Sequence, residues 1–200
     1  MNVLCVIPAR YASTRLPGKP LKDIAGKPMI CRVYERAAKA SRVAAAIVAT
    51  DDSRIYDAVL QHGGKAVMTR KDHPTGTDRL AEVAEKYPDV DLIINVQGDE
   101  PLIEPKLIDE LAAAFDGDAD LQMATVCTEI TDEAEQQNPN NVKVVMDKQG
   151  YALYFSRSLM PYPRHPGTPV YKHIGIYAYK RDFLLAYAKM AETPLEHAES

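Results

Sequence analysis

Arg10, Arg15 and Lys19 fall within one short stretch, PARYASTRLPGKPL (8–21), that carries no carboxylate. Guanidinium groups bind oxyanions through paired hydrogen bonds and an ammonium acts as a mobile point charge, so these cations suit a polyphosphate. Pro8, Pro17, Gly18 and Pro20 punctuate the stretch and rule out a long helix, because each proline removes a donor and fixes φ. It is not a Walker A loop, since Lys19 is followed by Pro20 instead of Ser or Thr, and it is not G-x-G-x-x-G. A solvated basic turn is the plainer use of such residues, and a place straight after an apolar strand favours the anion cradle.

Three further groups could do chemistry with it. NVQGDEP (95–101) follows a second apolar run. Its Asp99 is the hard oxygen ligand that Mg²⁺ needs to bridge phosphates, and Gly98 would let a nucleotide approach closely. An Asp after a strand serves equally as a cap or turn residue, so its pairing with the cationic loop is what favours a metal. In MTRKDHPTGTDRL (68–80), Thr75, Gly76 and Thr77 can read a base edge or cap a helix, Arg70 or Arg79 could reach an anion, and His73 reads as a polar loop residue. Late in the chain, Arg157 in ALYFSRS, His173 and Tyr177 in KHIGIYAY, and Glu196 could take an acidic sugar. Packing is the commoner use of an aromatic or His on a strand.

The elements that must position these groups follow from hydrophobic period. Val3–Ile7 is a continuous apolar run suited to a strand buried on both faces. Helical spacing from Met29 to Ala40, a strand at 44–49, a helix at 53–62, a strand at 65–68, a helix at 76–86 and a strand at 92–97 follow in alternation, and Pro105 opens another helix. This order predicts an α/β fold on a mostly parallel central sheet. Strands are expected at 121–127, 141–146, 151–155 and 174–179, with an acidic helical turn and loop between the first two, and 151–155 exposed or at an edge. MPYPRHPGTP (160–169) reads as a surface flap or dimer arm. No linker divides the chain, so residues 1–200 are expected to form one domain. PLEHAES begins a helix that stops at Ser200 without a cap, so a further segment is expected beyond it.

Composition limits the partners. With 28 acidic against 24 basic residues, the formal charge of −4 argues against nucleic acid or an anionic membrane, which require a cationic face. Three separated cysteines without CxxC indicate neither a disulfide framework nor a zinc site and fit a reducing cytosol. No apolar run reaches the ~18 residues of a membrane span.

Taken in order, PARYASTRLPGKPL, VATDD, TR-x-DH-x-x-GT-x-RL, NVQGDEP, VKVV, ALYFSRS and KHIGIYAY resemble the 3-deoxy-D-manno-octulosonate (Kdo) cytidylyltransferases over essentially all 200 residues. YFSRS, PYPR and HAES resemble the capsule-associated form most. The resemblance implies a three-layer α/β/α nucleotide-diphospho-sugar transferase fold with a protruding dimerisation arm, a homodimer, Mg²⁺, and transfer of CMP from CTP to Kdo with release of pyrophosphate. It assigns Arg10, Arg15 and Lys19 to the triphosphate and Asp99 to the metal. Ser13 joins the nucleotide-binding set, and backbone near Ala9 with Arg70, Thr75, Gly76 and Gln97 would fix ribose and cytosine. Arg157, His173, Tyr177 and Glu196 would line the sugar side. The family continues with a strand and a G-x-D-T-P segment that supplies a second metal ligand, and this sequence stops before it. Competing readings are a cytidylyltransferase for a related acid sugar such as 8-amino-Kdo, a non-catalytic CTP-binding module, a hexose-1-phosphate enzyme and a glycosyltransferase. The last would carry a D-x-D motif, which occurs here only at 89–91 and 116–120, places unsuited to a site.

Overall fold

The computed structural model describes residues 1–12 and 16–199. The chain forms two compact units, Met1–Ala124 with Ile176–Met190, and Thr125–Gly175 with Ala191–Ser200.

In the first unit, β1 (Val3–Ala9), β2 (Ala45–Thr50), β3 (Ala66–Met68) and β4 (Leu92–Asn95) are parallel, in the order β3-β2-β1-β4. The later residues of β8 (Tyr171–Lys180) add antiparallel to β4, with Asn95 opposite Tyr177. Parallel strands require crossovers, supplied by α1 (Met29–Ala37), α2 (Ser53–Gln61) and α3 (Gly76–Lys86), while α4 (Pro105–Ala113) follows β4. Alternation sends Leu4 and Val6 to one face and Cys5 and Ile7 to the other, and all four are at most 3% exposed, so the strand reads as continuously apolar. On the first face Leu4, Val6, Ile47, Ala49 and Ile93 pack with Leu80 and Val83 of α3 and Leu184 of α6 (Arg181–Tyr187). α1 contacts both α2 and α4, and these three helices bury Ile30, Val33, Ile55, Val59, Ile108 and Leu111 outside that cluster.

The alternation expected from sequence is present with shifted ends: α1 stops at Ala37 and β4 at Asn95. Two elements were not expected, a 3-10 turn at Lys19–Leu21 and α6. Parallel pairing joins β1–β4, while the β4–β8 pair is antiparallel.

The second unit pairs β6 (Lys143–Met146) antiparallel with β7 (Ala152–Ser156) and with the start of β8, and β5 (Met123–Glu129) also pairs with β8. α5 (Glu133–Gln137) falls in the acidic excursion, and α7 (Pro194–Glu199) is the helix begun by PLEHAE. β7 is the edge strand expected and exposes Leu153 and Tyr154. Residues 160–170 carry no helix or strand, and Tyr162 among them is exposed. No helix among the described residues is long and apolar enough to cross a membrane.

Candidate active site

Because β1–β4 are parallel, the residues that follow them emerge along one edge of the sheet. The polypeptide after β4 stays against β1: Val96 N–H donates to Val6 C=O at 3.1 Å, and a Cβ on Gly98 would sit 2.7 Å from the Pro8 carbonyl oxygen. The backbone of β1 therefore requires glycine at 98 in its own right. This approach brings the two motifs together. Pro8, Ala9, Arg10, Lys19, Pro20, Met29, Gly98 and Asp99 line an open cavity of about 130 Å³. Sites that enclose a whole ligand run to ~300–1,000 Å³, so this one takes part of a ligand.

Inside it the Lys19 ammonium pairs with the Asp99 carboxylate, Nζ to Oδ2 at 2.5 Å. Their side chains are 38% and 47% exposed; an ion pair this wet is worth only ~0–1 kcal/mol and opens readily to a competing anion or cation. Lys19 is held by the 3-10 turn, whose Gly18 sits at φ +70, with Lys19 N–H donating to Leu16 C=O and Leu21 N–H to Gly18 C=O.

Arg10 also organises its neighbour. Its Nη2 donates to the carbonyls of His73, at 2.7 Å, and Thr75, at 3.1 Å. Loop 69–75 is thereby tied to the end of β1. A second tie comes from Glu82 of α3, which accepts from the Arg70 N–H and the Lys86 ammonium and contacts His73 Nε2. Burial would raise the Glu82 carboxyl, but these bonds, Lys86 first, outweigh it and hold it at about 2. His73 is 5% exposed and bonded, so it is a buried anchor of this loop and not the solvent-facing residue expected. Arg79, fully buried, provides the third tie by donating to Thr69 Oγ1 and to the Asp51 carboxylate. Thr75 caps α3 in a reciprocal capping box with Asp78, and Gly76 is the first residue of that helix. The Arg70 side chain is exposed, 3.8 Å from Asp72. Gln97, half-buried, accepts the Glu100 N–H at its carbonyl. Ser13 and Arg15 lie outside the described residues.

Of the sugar-side candidates, Tyr177 belongs to the first unit and Arg157, His173 and Glu196 to the second. Tyr177 stacks on Tyr179 at 5.9 Å, and burial raises its hydroxyl pKa. Arg157 donates to the carbonyls of Glu199 and Pro139, and its N–H to the Glu199 carboxylate. The acid that meets Arg157 is therefore Glu199, one turn beyond Glu196, whose own carboxylate accepts from Thr193 N–H. His173 Nε2 lies 2.9 Å from Thr125 Oγ1 and its ring meets Phe155 edge-on, and burial lowers its pKa.

Sequence reasoning missed Asp51 and Glu82. Both act across the fold on partners 28 and 9 residues away, and neither position breaks the local pattern of its element. Asp51 follows β2 where turn acids are common, and Glu82 fits the polar face of α3.

The cytidylyltransferase family pattern matches residues 4–200. The chain belongs to that family. A 3-deoxy-manno-octulosonate cytidylyltransferase of Fusobacterium nucleatum is 57% identical over all of this chain and 82% of its own length, and one of Escherichia coli is 54% identical over all of this chain and 80% of its own. Among solved structures, a CMP:2-keto-3-deoxy-manno-octonic acid synthetase complexed with CTP superposes with a TM-score of 0.95, at 51% identity over 99% of this chain and 82% of that one. A cytidylyltransferase of Leptospira borgpetersenii, 20% identical with a TM-score of 0.63, shares the fold. The fold is that of an α/β nucleotidyltransferase, as expected.

Proposed function

We infer that this cytidylyltransferase moves CMP from CTP to the anomeric hydroxyl of Kdo and releases pyrophosphate. The observation that carries the reading is the convergence of Arg10, Lys19 and Asp99 on one cavity at the carboxyl ends of β1 and β4. In-line attack on the α-phosphorus builds negative charge on the departing pyrophosphate. Cations fixed beforehand at that point stabilise the transition state more than the ground state. Lys19, released from Asp99, meets the triphosphate together with Arg10 and Arg15. Ala9, Ser13, Arg70, Thr75, Gly76 and Gln97 complete the nucleotide contacts.

Asp99 suits Mg²⁺. Among the described residues no group of three or more His, Cys, Asp or Glu side chains could hold a metal alone. Mg²⁺ commonly takes one or two carboxylates and completes its shell with phosphate and water. An exposed carboxylate beside a phosphate cradle is that donor set, and the ion would neutralise phosphate oxygens there. The exposed Leu153, Tyr154 and Tyr162 of the second unit favour a homodimer, and the three free cysteines fit a cytosolic setting.

The test is pyrophosphate release from CTP and Mg²⁺, with Kdo, with 8-amino-Kdo and with no acceptor. Release that depends on Kdo supports the reading. Preference for the amino sugar moves the substrate to that analogue, and CTP binding without release for any acceptor overturns catalysis.

A further inference from the structure

The VATDD stretch supplies two acids at the carboxyl end of β2. Asp51 is used by Arg79, whereas Asp52 serves something else. Its side chain caps α2 by accepting the Arg54 N–H at 3.0 Å, and it also grips the Arg54 guanidinium, Oδ1 to Nε at 2.9 Å and Oδ2 to Nη2 at 2.6 Å. The Arg54 hydrogen bonds hold the Asp52 carboxyl below its ordinary range. So gripped, the guanidinium lies over the ring of Tyr11, its Cζ 3.3 Å from the ring centroid. A planar cation on an aromatic face is attracted by the ring quadrupole.

Tyr11 in turn shapes the turn that carries Lys19. Its carbonyl accepts the Gly18 N–H at 2.9 Å, which ties Tyr11 to the turn at Gly18 through the backbone. Its ring lies so near Gly18 that a Cβ there would stand 3.1 Å from two ring-end atoms, Cζ and Oη. Gly18 is the cap of the 3-10 turn that begins at Lys19. A continuous chain of contacts thus runs from Asp52 through Arg54, Tyr11 and Gly18 to Lys19, which faces Asp99. Arg54 lies off the core, because α2 buries Ile55 and Val59 while Arg54 is more than half exposed.

We propose that Asp52, Arg54 and Tyr11 are positioning residues that fix the Gly18–Lys19 turn so that the Lys19 ammonium stands where the pyrophosphate departs. This rests on the role given to Lys19 above. Removing the ring lets the turn shift, and a displacement of ~1 Å can cost about a hundredfold in rate. Removing only the cation costs less, because the Tyr11–Gly18 backbone bond remains.

The experiment follows single-turnover pyrophosphate release from CTP and Kdo, with folding checked by thermal unfolding. Tyr11→Leu is expected to lower the rate by about ten- to a hundredfold at an unchanged Tm. Tyr11→Phe, which keeps the face, should stay within about twofold, and Arg54→Ala should lose about two- to fivefold, the size of an exposed cation–π contact. Asp52→Ser keeps a capping oxygen and removes the fork; it should match Arg54→Ala, and the double variant should be no worse than either. The deciding arm is Tyr11→Leu in a Lys19→Ala background, where no further loss is expected because both changes act through one ammonium. Losses that multiply would overturn the inference while leaving Lys19 its role. A Lys19→Ala variant as fast as the parent would remove that role and the inference with it.

Discussion

The first unit is built around apolar strands and the second around polar ties. β1, β2 and β4 bury nearly every residue, and helices cover both faces of their sheet. β7 buries only Ser156, and the interior of β6 rests on Lys143, a fully buried lysine whose ammonium donates to the carbonyls of Asn138, Asn141 and Arg157. Glu199 adds a clamp on Ser156 and Arg157. A hydrophobic core tolerates chemistry at its edge because its stability lies elsewhere. A unit held by hydrogen bonds has its stability in the residues that sequence reasoning assigned to a ligand, Arg157 among them.

Four outcomes would break or sharpen this contrast, from the largest effect down. Asp99→Asn should cut Mg²⁺-stimulated turnover by about a thousandfold or more while leaving Tm within a degree or two, since an exposed acid adds little stability. Metal-stimulated turnover that survives would remove Asp99 as a ligand. Lys19→Ala should lower kcat by about 10²–10³-fold and CTP affinity far less, because the charge it meets is made in the transition state. Equal losses in both, read from kinetics and calorimetry, would make it a simple binding residue.

Lys143→Met should cost about 2–3 kcal/mol, because three carbonyls lose a shared donor. Hydrogen exchange should show the loss in the amides of β6 and β7 and leave β1 and β4 protected. Uniform loss through both units would contradict the contrast. Glu82 offers the smallest and most pH-specific test. Its carboxyl sits at about 2 when folded, below its ordinary ~4.3, so its contribution is complete above that ordinary value and is lost as pH falls toward 2. Denaturant melts should show the advantage of the parent over Glu82→Gln shrinking by about 2 kcal/mol between pH 6 and pH 3. A constant gap would mean that the ties from Arg70 and Lys86 do not favour the ionised form.

How far the residues alone reached depends on the distance over which each one acts. The alternation of strands and helices, the cradle after β1 and the Asp after β4 were legible, because hydrophobic period and proline placement are local properties and parallel strands put their following loops on one edge. The short α6 was not. RDFLLAY directly follows a long strand and carries no strong start signal beyond Asp182 in its first turn. His73 shows the same limit from the other side: its neighbours KDHP read as solvated loop, and only Glu82, arriving from α3, gives the imidazole a buried partner.

The sequence by itself determined that a cationic, proline-stiffened loop follows the first buried strand and that a carboxylate follows the fourth. Tertiary structure decided which of these side chains meet. Gly98 lets the two loops touch at Pro8, Arg10 spends hydrogen bonds on the 69–75 loop, and the Glu199 carboxylate, one turn beyond Glu196, closes on Arg157. Such pairings join residues 42 to 90 positions apart. They are set by how packed elements bring their ends together, which no local pattern of residue types encodes.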